Sequence, residues 1–479
     1  MEENGLPART EQKAVEVNEA VSSDSESDNS SRRATRNETI WTIFGCALAN
    51  FSDGYQQSLA SSTNVVMNHL LGTKVYTATF QTRLSNALLI GSIVGILILG
   101  YASDLFSRKS GMLITSTLVV IGSLLSTLVF QVSPAKNMLW FLIIARGIAG
   151  VGVGGEYPTS AAAALEGSNE YFDSKRGPIQ VLISTLMATS GGPVCTFVYL
   201  MTLLATSNNL KTAYHAINGI SIVLPFLVII FRLKMHDGRL FRKSNFKQRA
   251  VPWMILLKQK KYLIRLLGTS SAFFLYDFVN FPNSILSSAI INNIVPNHNV
   301  RQVALWQLIL ALFPVPGVFL GAWLVNRIGR RWTGIIGFSG YIIIGFIMGG
   351  AYTELTTKSI PAFVVLYGLL QACGHMGPGA TIGLISVESF PTAVRGMGYG
   401  VSAGFGKAGA AIGTQVFTPI QAAAGKSATF YVAGGIGIIG VVIYWLLPEG
   451  RDVDLAAMDE EFEASLREAG YSEKMIESS

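Results

Sequence analysis

The feature that most constrains this chain is a series of apolar runs of about 20 residues, the length that crosses a bilayer as an α-helix. They recur from residue 38 to residue 447. Because lipid offers no partners for unpaired backbone groups, each run must be helical. The sequence therefore predicts an all-α polytopic membrane protein with twelve transmembrane helices. The predicted spans lie in two sets of six, near residues 39–60, 83–102, 110–131, 137–165, 179–205 and 214–233, and near residues 264–292, 302–326, 333–352, 360–386, 397–422 and 427–447.

The composition excludes other classes of protein. Only 14% of the residues are charged, against about 25% in an average soluble domain, and the mean hydropathy is +0.43. The sequence pI of about 9.2 reflects Lys and Arg in the loops between spans, which indicates membrane topology and not nucleic-acid binding. All three cysteines (Cys46, Cys195 and Cys373) lie in apolar segments, so we expect no disulfide, metal site or cofactor.

The distribution of Lys and Arg predicts the orientation of the chain. Residues 232–265 carry eleven of them, whereas connections on the other side carry mostly single cations. Since cytoplasmic loops are enriched in Lys and Arg, both termini and the central loop are predicted to be cytoplasmic. Residues 452–469 predict a short amphipathic helix that docks on the basic loops. The domains are then a disordered tail (1–37), a six-helix bundle (38–233), a basic linker (234–261), a second six-helix bundle (262–447) and an acidic tail (448–479).

Two short signatures recur at matched places in the two halves. GYASDLFSRK (100–109) after span 2 resembles GAWLVNRIGRR (321–331) after span 8, and EGSNEYFDSKRG (166–177) after span 4 resembles ESFPTAVRG (388–396) after span 10. Two similar halves can rock about a central site and expose it to either side of the membrane in turn. The predicted gating residues are Asp104, Arg108, Arg146, Glu166, Arg176, Arg327, Arg331, Glu388 and Arg395.

At these signatures the chain resembles transporters of the major facilitator superfamily, over about residues 38–450. Three stretches are similar to its phosphate:proton symporter branch: RGIAGVGVGGEYPTSAA (146–162), FFLYDFVNF (273–281) and FPTAVRGMGYGVSAGFGKAGAAIG (390–413). Within that branch the chain is most similar to fungal glycerophosphodiester permeases. The resemblance implies a plasma-membrane protein whose partners are protons and a small organic phosphate, and we expect a monomer.

Ionisable side chains inside spans cost about 2.5–3.5 kcal/mol each on insertion scales, so they indicate function by default. Asp53 lies in span 1, Glu156 in span 4 and Asp277 in span 7, and these three are the predicted proton-coupling residues. Lys407 lies in span 11 and His375 in span 10.

Asp277 has Phe273 and Phe281 one turn away on either side, with Asn280 on the same face. Desolvation by such neighbours favours the protonated form of a carboxyl, which suits a proton acceptor beside a substrate. The alternative is a structural ion pair, for which Lys407 is the obvious partner. The two interpretations are compatible, because protonation of Asp277 would release Lys407 to meet an anion.

The resemblance implies further roles. Lys407 matches the branch's binding-site lysine, Tyr157 its phosphate-contacting tyrosine and Glu156 its span-4 acid, while Gln56 stands where a second span-1 acid is usual. The predicted substrate-binding residues are Gln56, Tyr157, Met187, Phe273, Asp277, Asn280, Phe281, His375, Tyr399 and Lys407.

Several of these positions depart from the branch. Its span-5 glutamine falls near Met187, its two span-10 asparagines become His375 and Gly379, and its span-7 Trp and Tyr become Phe273 and Phe281. Each change removes a hydrogen-bonding group or opens space. The departures therefore favour a larger organic phosphate over inorganic phosphate.

Two features have alternative interpretations. His375 either contacts the substrate or relays protons, or it is a packing histidine. The glycines of GVGVGGEYPTS (150–160) look like a nucleotide-binding loop, but such a loop follows a strand and opens a helix, whereas these lie inside span 4. They are predicted to thin the helix so that a partner helix approaches closely.

The sequence thus predicts a proton-coupled symporter that imports glycerophosphodiesters, such as glycerophosphoinositol or glycerophosphocholine, by alternating access. A monoanion entering a cell with a negative interior is opposed by about 2.3 kcal/mol per 100 mV, which co-transport of more than one proton reverses. Inorganic phosphate symport, a sugar or carboxylate porter, and a nutrient receptor without net transport are the alternatives. A membrane enzyme is not expected, since no nucleophile elbow or metal pair occurs.

Overall fold

The computed structural model describes the backbone of residues 8–105, 108–171, 176–233, 258–391, 394–450 and 455–468. Side chains are described for residues 41, 43–99, 110–157, 177–233, 258–296, 298–391, 394–450 and 457–468. These ranges are almost entirely helical and contain no strand.

In the first half of the chain the described residues form seven α-helices: α1 (Ala8–Val75), α2 (Ala78–Leu105), α3 (Arg108–Thr127), α4 (Ala135–Tyr171), α5 (Arg176–Val181), α6 (Met187–Ala205) and α7 (Leu210–Leu233). A π-helical turn, Leu182–Leu186, joins α5 to α6 in one continuous span.

The second half contains α8 (Lys260–Ile285), α9 (Ser287–Asn292), α10 (Val300–Leu312), α11 (Pro314–Arg327), α12 (Arg330–Gly350), α13 (Tyr352–Lys358), α14 (Ile360–Met376), α15 (Pro378–Glu388), α16 (Arg395–Ala424), α17 (Ala428–Leu446) and α18 (Leu455–Glu468). Two predicted spans are each made of two helices. Span 8 divides where Pro314 opens α11, and span 10 divides at Gly377, just before Pro378 opens α15.

Nine stretches of described helix are long and apolar enough to cross a membrane. The remaining three predicted spans correspond to α1, α8 and α16, which carry Asp53, Asp277 and Lys407 respectively. The described helices therefore account for all twelve predicted spans.

The first helix is longer than the sequence predicted. α1 continues to Val75, beyond the predicted end near residue 60, because residues 61–71 contain no Gly or Pro and several of their apolar side chains are buried. The backbone first leaves helical geometry at Gly72, where φ is 70°. The same helix begins at Ala8, inside the tail for which the composition predicted disorder. The disorder of that tail stays a prediction.

Each half is a bundle. α4 packs between α2 and α3 in the first half, and α8 packs on α16 and α12 on α17 in the second. The halves meet where α2 contacts α16 and where α6 contacts α10, and again where α5 contacts α11. The site described below lies between these contacts.

The predicted thinning of span 4 is confirmed. A Cβ on Gly150 would overlap the backbone of Leu88, and one on Gly154 would overlap the backbone of Ser92, both on α2. A Cβ on Gly152 would overlap Thr115 and Val119 of α3. Only glycine allows α4 to lie this close to two neighbours.

The C-terminal helix α18 docks mainly through apolar contacts. Phe462 and Leu466 are buried in one cluster with Tyr262, Leu266 and Phe390, while Lys261 forms an exposed ion pair with Glu461 at 2.6 Å. The predicted helix at residues 452–469 is therefore present over Leu455–Glu468, and it packs against the start of α8 and the connection between α15 and α16.

Candidate functional site

A cavity of about 170 Å³ lies between the two halves. We call it the central cavity. α1, α4, the span formed by α5 and α6, α8, α14, α15 and α16 all contribute to its wall. Its polar and aromatic lining residues are Asn50, Gln57, Tyr157, Gln180, Ser184, Thr185, Thr189, Phe273, Tyr276, Asp277, Asn280, Phe281, His375, Tyr399 and Lys407.

The Lys407 ammonium group is held by one carboxylate and two aromatic rings. Its Nζ atom lies 3.3 Å from Asp277 Oδ2, 4.0 Å from the ring centroid of Phe281 and 4.7 Å from that of Tyr157. Lys407 and Asp277 are only 5% and 4% exposed. Among the described lining residues Lys407 is the one Lys or Arg, and the structure brings it to Asp277 as the sequence suggested.

The Tyr157 hydroxyl is oriented by a neighbour on α1. Gln57 Nε2 donates a hydrogen bond to this oxygen at 3.0 Å. Because the amide supplies the proton of that bond, the phenolic proton stays available for an acceptor in the cavity. Tyr157 and Lys407 can therefore both donate to one anion.

His375 lies in the cavity wall, edge-on to Tyr276 with ring centroids 6.4 Å apart. Its Nδ1 atom is 3.0 Å from the carbonyl oxygen of Gln371. Since a carbonyl only accepts, Nδ1 carries a proton, and Nε2 of the neutral ring is then an acceptor. In that form His375 contacts a donor, such as a hydroxyl, and not an unprotonated phosphate oxygen.

Span 5 contributes more polar groups than the sequence suggested. Gln180, Ser184 and Thr185 line the central cavity, whereas Met187, the predicted contact, does not. The π-helical turn Leu182–Leu186 adds a residue to one turn and so changes which side chains face the cavity. Met187 was placed by counting from the Arg176–Gly177 pair shared with the phosphate symporters, and its contact with substrate stays a prediction.

Gln56 also lies away from the central cavity. Its Nε2 donates to Ser123 Oγ at 2.6 Å and to the Ser221 carbonyl at 3.1 Å. Arg146 donates to its side-chain oxygen at 3.2 Å and its carbonyl at 2.7 Å. Gln56, predicted to bind substrate, and Arg146, predicted to gate, thus form one buried contact inside the first half.

Glu156 points into the first bundle. It forms an ion pair with Arg232 of α7 and accepts a hydrogen bond from Thr115 Oγ1 at 2.8 Å. Arg232 is 1% exposed and Glu156 is 3% exposed. Sequence reasoning assigned Arg232 to the basic central loop. The signal for its real position was an acid in span 4 that needed a cation in the same half.

Asp53 is buried beside this pair. It interacts electrostatically with Glu156, Arg232 and Lys407, but forms no ion pair with any described residue and does not line the central cavity. The three predicted proton-coupling residues therefore occupy three different environments. Asp277 contacts a lysine in the cavity, Glu156 contacts a buried arginine, and Asp53 interacts electrostatically with charges of both pairs.

At the predicted cytoplasmic end, Arg330 and Glu388 form a buried ion pair with two hydrogen bonds, at 2.8 and 3.0 Å. A Cβ on Gly177, from the first half, would lie 3.1 Å from Arg330 Nη2. The Glu449 carboxylate accepts from the backbone amides of Arg330 and Arg331 at the start of α12. Arg330 was missed because it was one of three arginines in NRIGRR.

Three of the other predicted gating residues contact aromatic rings or a backbone carbonyl in the described structure. Arg327 and Arg331 lie over the rings of Trp323 and Trp445, at 4.9 and 4.6 Å. Arg395 Nε donates to the Phe390 carbonyl at 3.2 Å. The side chains of Asp104, Arg108, Glu166 and Arg176 lie outside the described residues.

Comparison with known proteins identifies the family. The profile of the sugar (and other) transporter family matches residues 39–250 and 239–462. The chain belongs to this family of the major facilitator superfamily. Its members and relatives are transporters, so the expectation that the chain is not an enzyme is confirmed.

Three proteins illustrate the relationship. The transporter is 56% identical over 452 residues to the MFS-type transporter lnaF of Aspergillus flavus, covering 94% of this chain and 91% of the relative. It is 39% identical over 472 residues to glycerophosphoinositol transporter 1 of Saccharomyces cerevisiae, covering 96% and 90%. Its fold is similar to the proton:xylose symporter XylE, with a TM-score of 0.73, 16% identity, and coverage of 89% of this chain and 99% of that one.

Proposed function

We propose that this transporter imports a glycerophosphodiester together with protons, by alternating access across the plasma membrane, with both termini in the cytoplasm. The observation that carries the proposal is the single lysine among the described residues of the central cavity, placed beside Asp277 and the Tyr157 hydroxyl. The relative from Saccharomyces cerevisiae, named for glycerophosphoinositol, supports this substrate class.

The charge of the central cavity suits a diester. A phosphate group with a second ionisable hydroxyl carries about −1.5 to −2 charges at pH 7. A phosphodiester lacks that group and keeps a single negative charge. One lysine can balance a monoanion once Asp277 is neutral, whereas a dianion would leave a charge uncompensated in a buried site.

The hydrogen-bonding groups of the cavity also favour an alcohol-bearing substrate. Nε2 of neutral His375 is an acceptor, and Asn280 Oδ1 is buried without a hydrogen-bond partner among the described residues. Both can accept from the hydroxyls of a glycerol or polyol group. Unprotonated phosphate oxygens, which only accept, cannot satisfy either atom.

Proton coupling follows from the contact between Asp277 and Lys407. When the phosphodiester binds Lys407, the carboxylate loses its partner in a buried site. A proton then removes the charge that would be left unpaired. Asp53, buried and without an ion pair to any described residue, is a second place where a proton can be held. Two protons per monoanion would give inward movement of positive charge, which a negative interior favours.

Alternating access rests on the two similar bundles. Their contacts lie on both sides of the central cavity, at α6 with α10 and at α5 with α11. An even number of crossings places both termini on one side, and the basic residues 232–265 favour the cytoplasm for that side.

The test is uptake by proteoliposomes that contain the purified protein and carry an inward proton gradient. Labelled glycerophosphoinositol, glycerophosphocholine and inorganic phosphate are offered in turn. We expect accumulation of at least one diester, its loss when a protonophore collapses the gradient, and weak competition by inorganic phosphate. Preferential accumulation of phosphate, or binding of the diester without accumulation, would contradict the proposal.

A further inference from the structure

A second, smaller cavity of about 40 Å³ lies on the predicted outer side of the central cavity. We call it the outer cavity. It contains no charged residue among those that line it in the described structure. Its lining includes Ser61, Ser284, Ser287, Gln307 and Gln371.

Two amides of the outer cavity have unused hydrogen-bonding capacity. Gln307 Nε2 donates to Ser61 Oγ at 3.2 Å, but Gln307 Oε1 has no partner among the described residues. Gln371 Nε2 interacts with the Tyr367 hydroxyl oxygen but makes no hydrogen bond of normal geometry with any described residue. Gln307 and Gln371 are only 3% and 6% exposed, and the unpaired Gln307 Oε1 costs about 1–3 kcal/mol of desolvation.

An alcohol hydroxyl matches this pair of atoms. It donates to an acceptor such as Gln307 Oε1 and accepts from a donor such as Gln371 Nε2. A phosphate oxygen can satisfy only the donor, and no lysine or arginine in the lining would balance its charge. The chemistry of the outer cavity therefore fits a neutral polyhydroxyl group.

The two cavities are joined by shared helices. On α8, Ser284 follows Asn280 by four residues, or about 6 Å at 1.5 Å per residue, and Ser287 opens the next helix, α9. On α14, Gln371 precedes His375 by one turn, and the Gln371 carbonyl accepts the bond from His375 Nδ1. A substrate with its phosphate at Lys407 can thus extend a hydroxyl-bearing arm of a few bonds toward the outer cavity.

We propose that the outer cavity is a polyol subsite, which binds the neutral alcohol group of the substrate while Lys407 binds its phosphate. This rests on the proposed function, because it assigns the two ends of a phosphodiester to two cavities. The subsite distinguishes a phosphodiester that carries a polyol from one that does not. Gln307 and Gln371 are its principal contacts.

The test compares two ligands that share the monoanionic phosphodiester group. Glycerophosphoinositol carries a polyol, and dimethyl phosphate carries none. For Gln307→Leu and Gln371→Met, we expect KM for glycerophosphoinositol in proteoliposomes to rise about 3- to 10-fold, the effect of one lost hydrogen bond. The inhibition constant of dimethyl phosphate should stay within about 2-fold of wild type, since Lys407 is untouched.

Gln421→Met is the matched control. Gln421 is a half-buried glutamine of α16 near the predicted outer end, and it does not line either cavity. It should leave both constants unchanged. Equal weakening of both ligands in the Gln307 and Gln371 variants, or an unchanged KM, would overturn the subsite while wild-type uptake still supported the proposed function. If the wild-type protein accumulated no diester, both the polyol subsite and the proposed function would be contradicted.

Discussion

Lys407 Nζ lies 3.3 Å from Asp277 Oδ2, across the contact between α16 and α8, and both side chains are almost completely buried. The pair joins the one lysine of the central cavity's described lining to the one carboxylate. A buried pair of this kind is weak evidence for stability, but separating its members is unfavourable unless each finds a new partner. An incoming anion and a proton are the partners that release both groups together.

Asp277→Asn should abolish uptake driven by a proton gradient, because an amide of the same shape cannot take up a proton. Exchange of labelled for unlabelled substrate without a gradient should persist. Both are measured in proteoliposomes with equal amounts of protein. Glu354→Gln, at an exposed acid of α13, is the control and should behave as wild type. Normal accumulation by Asp277→Asn would exclude this carboxyl as the coupling group.

Lys407→Met should raise KM for the diester at least about tenfold, the effect of losing a charged hydrogen bond. It should also destabilise the protein by about 3–5 kcal/mol, because Asp277 is left buried without its cation. Asp277→Asn combined with Lys407→Met should recover most of that stability but not the affinity. Thermal unfolding in detergent and substrate binding measure the two effects. If the double variant were no more stable than Lys407→Met, the buried Asp277 carboxylate would not be the cause of the lost stability.

Arg232→Met should be among the most destabilising single changes in the first bundle, again by about 3–5 kcal/mol, since the Glu156 carboxylate loses its partner. Removing both charges, as Glu156→Gln with Arg232→Met, should restore much of the loss. The comparison uses thermal unfolding of purified protein. Lys211→Met, at the start of α7, is a suitable control. If Arg232→Met unfolded at the same temperature as the wild type, the ion pair between Glu156 and Arg232 would not contribute to stability.

Gly154→Ala should impair folding, because its Cβ would overlap the backbone of Ser92 and neither helix can move a backbone atom away cheaply. Gly435→Ala on α17 is the matched control, since nothing lies within 4 Å of the position its Cβ would occupy. It should be neutral or stabilising by about 0.5–1 kcal/mol, as expected for Gly to Ala in a helix. Yield of monodisperse protein and thermal unfolding distinguish the two. Equal behaviour would contradict the close approach of α4 to α2.

The docking of α18 should depend on apolar burial far more than on charge. Phe462→Ala should weaken it by about 3–5 kcal/mol, whereas Glu461→Gln should change it by less than about 1 kcal/mol. The hydrogen bond from Lys261 lowers the pKa of Glu461 below its usual 4.5, so this small contribution is present above that pH and is lost as the pH falls through the lowered pKa. Protease protection of residues 455–468, followed from pH 7 to pH 3, measures both. If Glu461→Gln lost most of the protease protection and Phe462→Ala lost none, the docking of α18 would depend on charge and not on apolar burial.

Much of the architecture could be predicted from the chain alone. Apolar runs of bilayer length predicted the twelve spans, because a helix in lipid must satisfy its own backbone. The glycines at 150–155 predicted a thinned span 4, and the close packing of α4 against α2 and α3 confirms it. Isolated charges in apolar segments predicted that Asp277 and Lys407 belong to the functional site. An ionisable group inside a span costs free energy on insertion, so it is expected only where it has a partner or a function.

What only the tertiary structure decided is which of those side chains meet. Gln180, Ser184 and Thr185 line the central cavity and Met187 does not, and the π-helical turn Leu182–Leu186 in this stretch is not visible in the sequence. Glu156 found Arg232 from α7, and Gln57 rather than its neighbour Gln56 reached Tyr157, because the packing of whole helices sets which face of each is turned inward. Local sequence determines where a helix runs and what it carries, whereas the direction in which each side chain points depends on every helix packed around it.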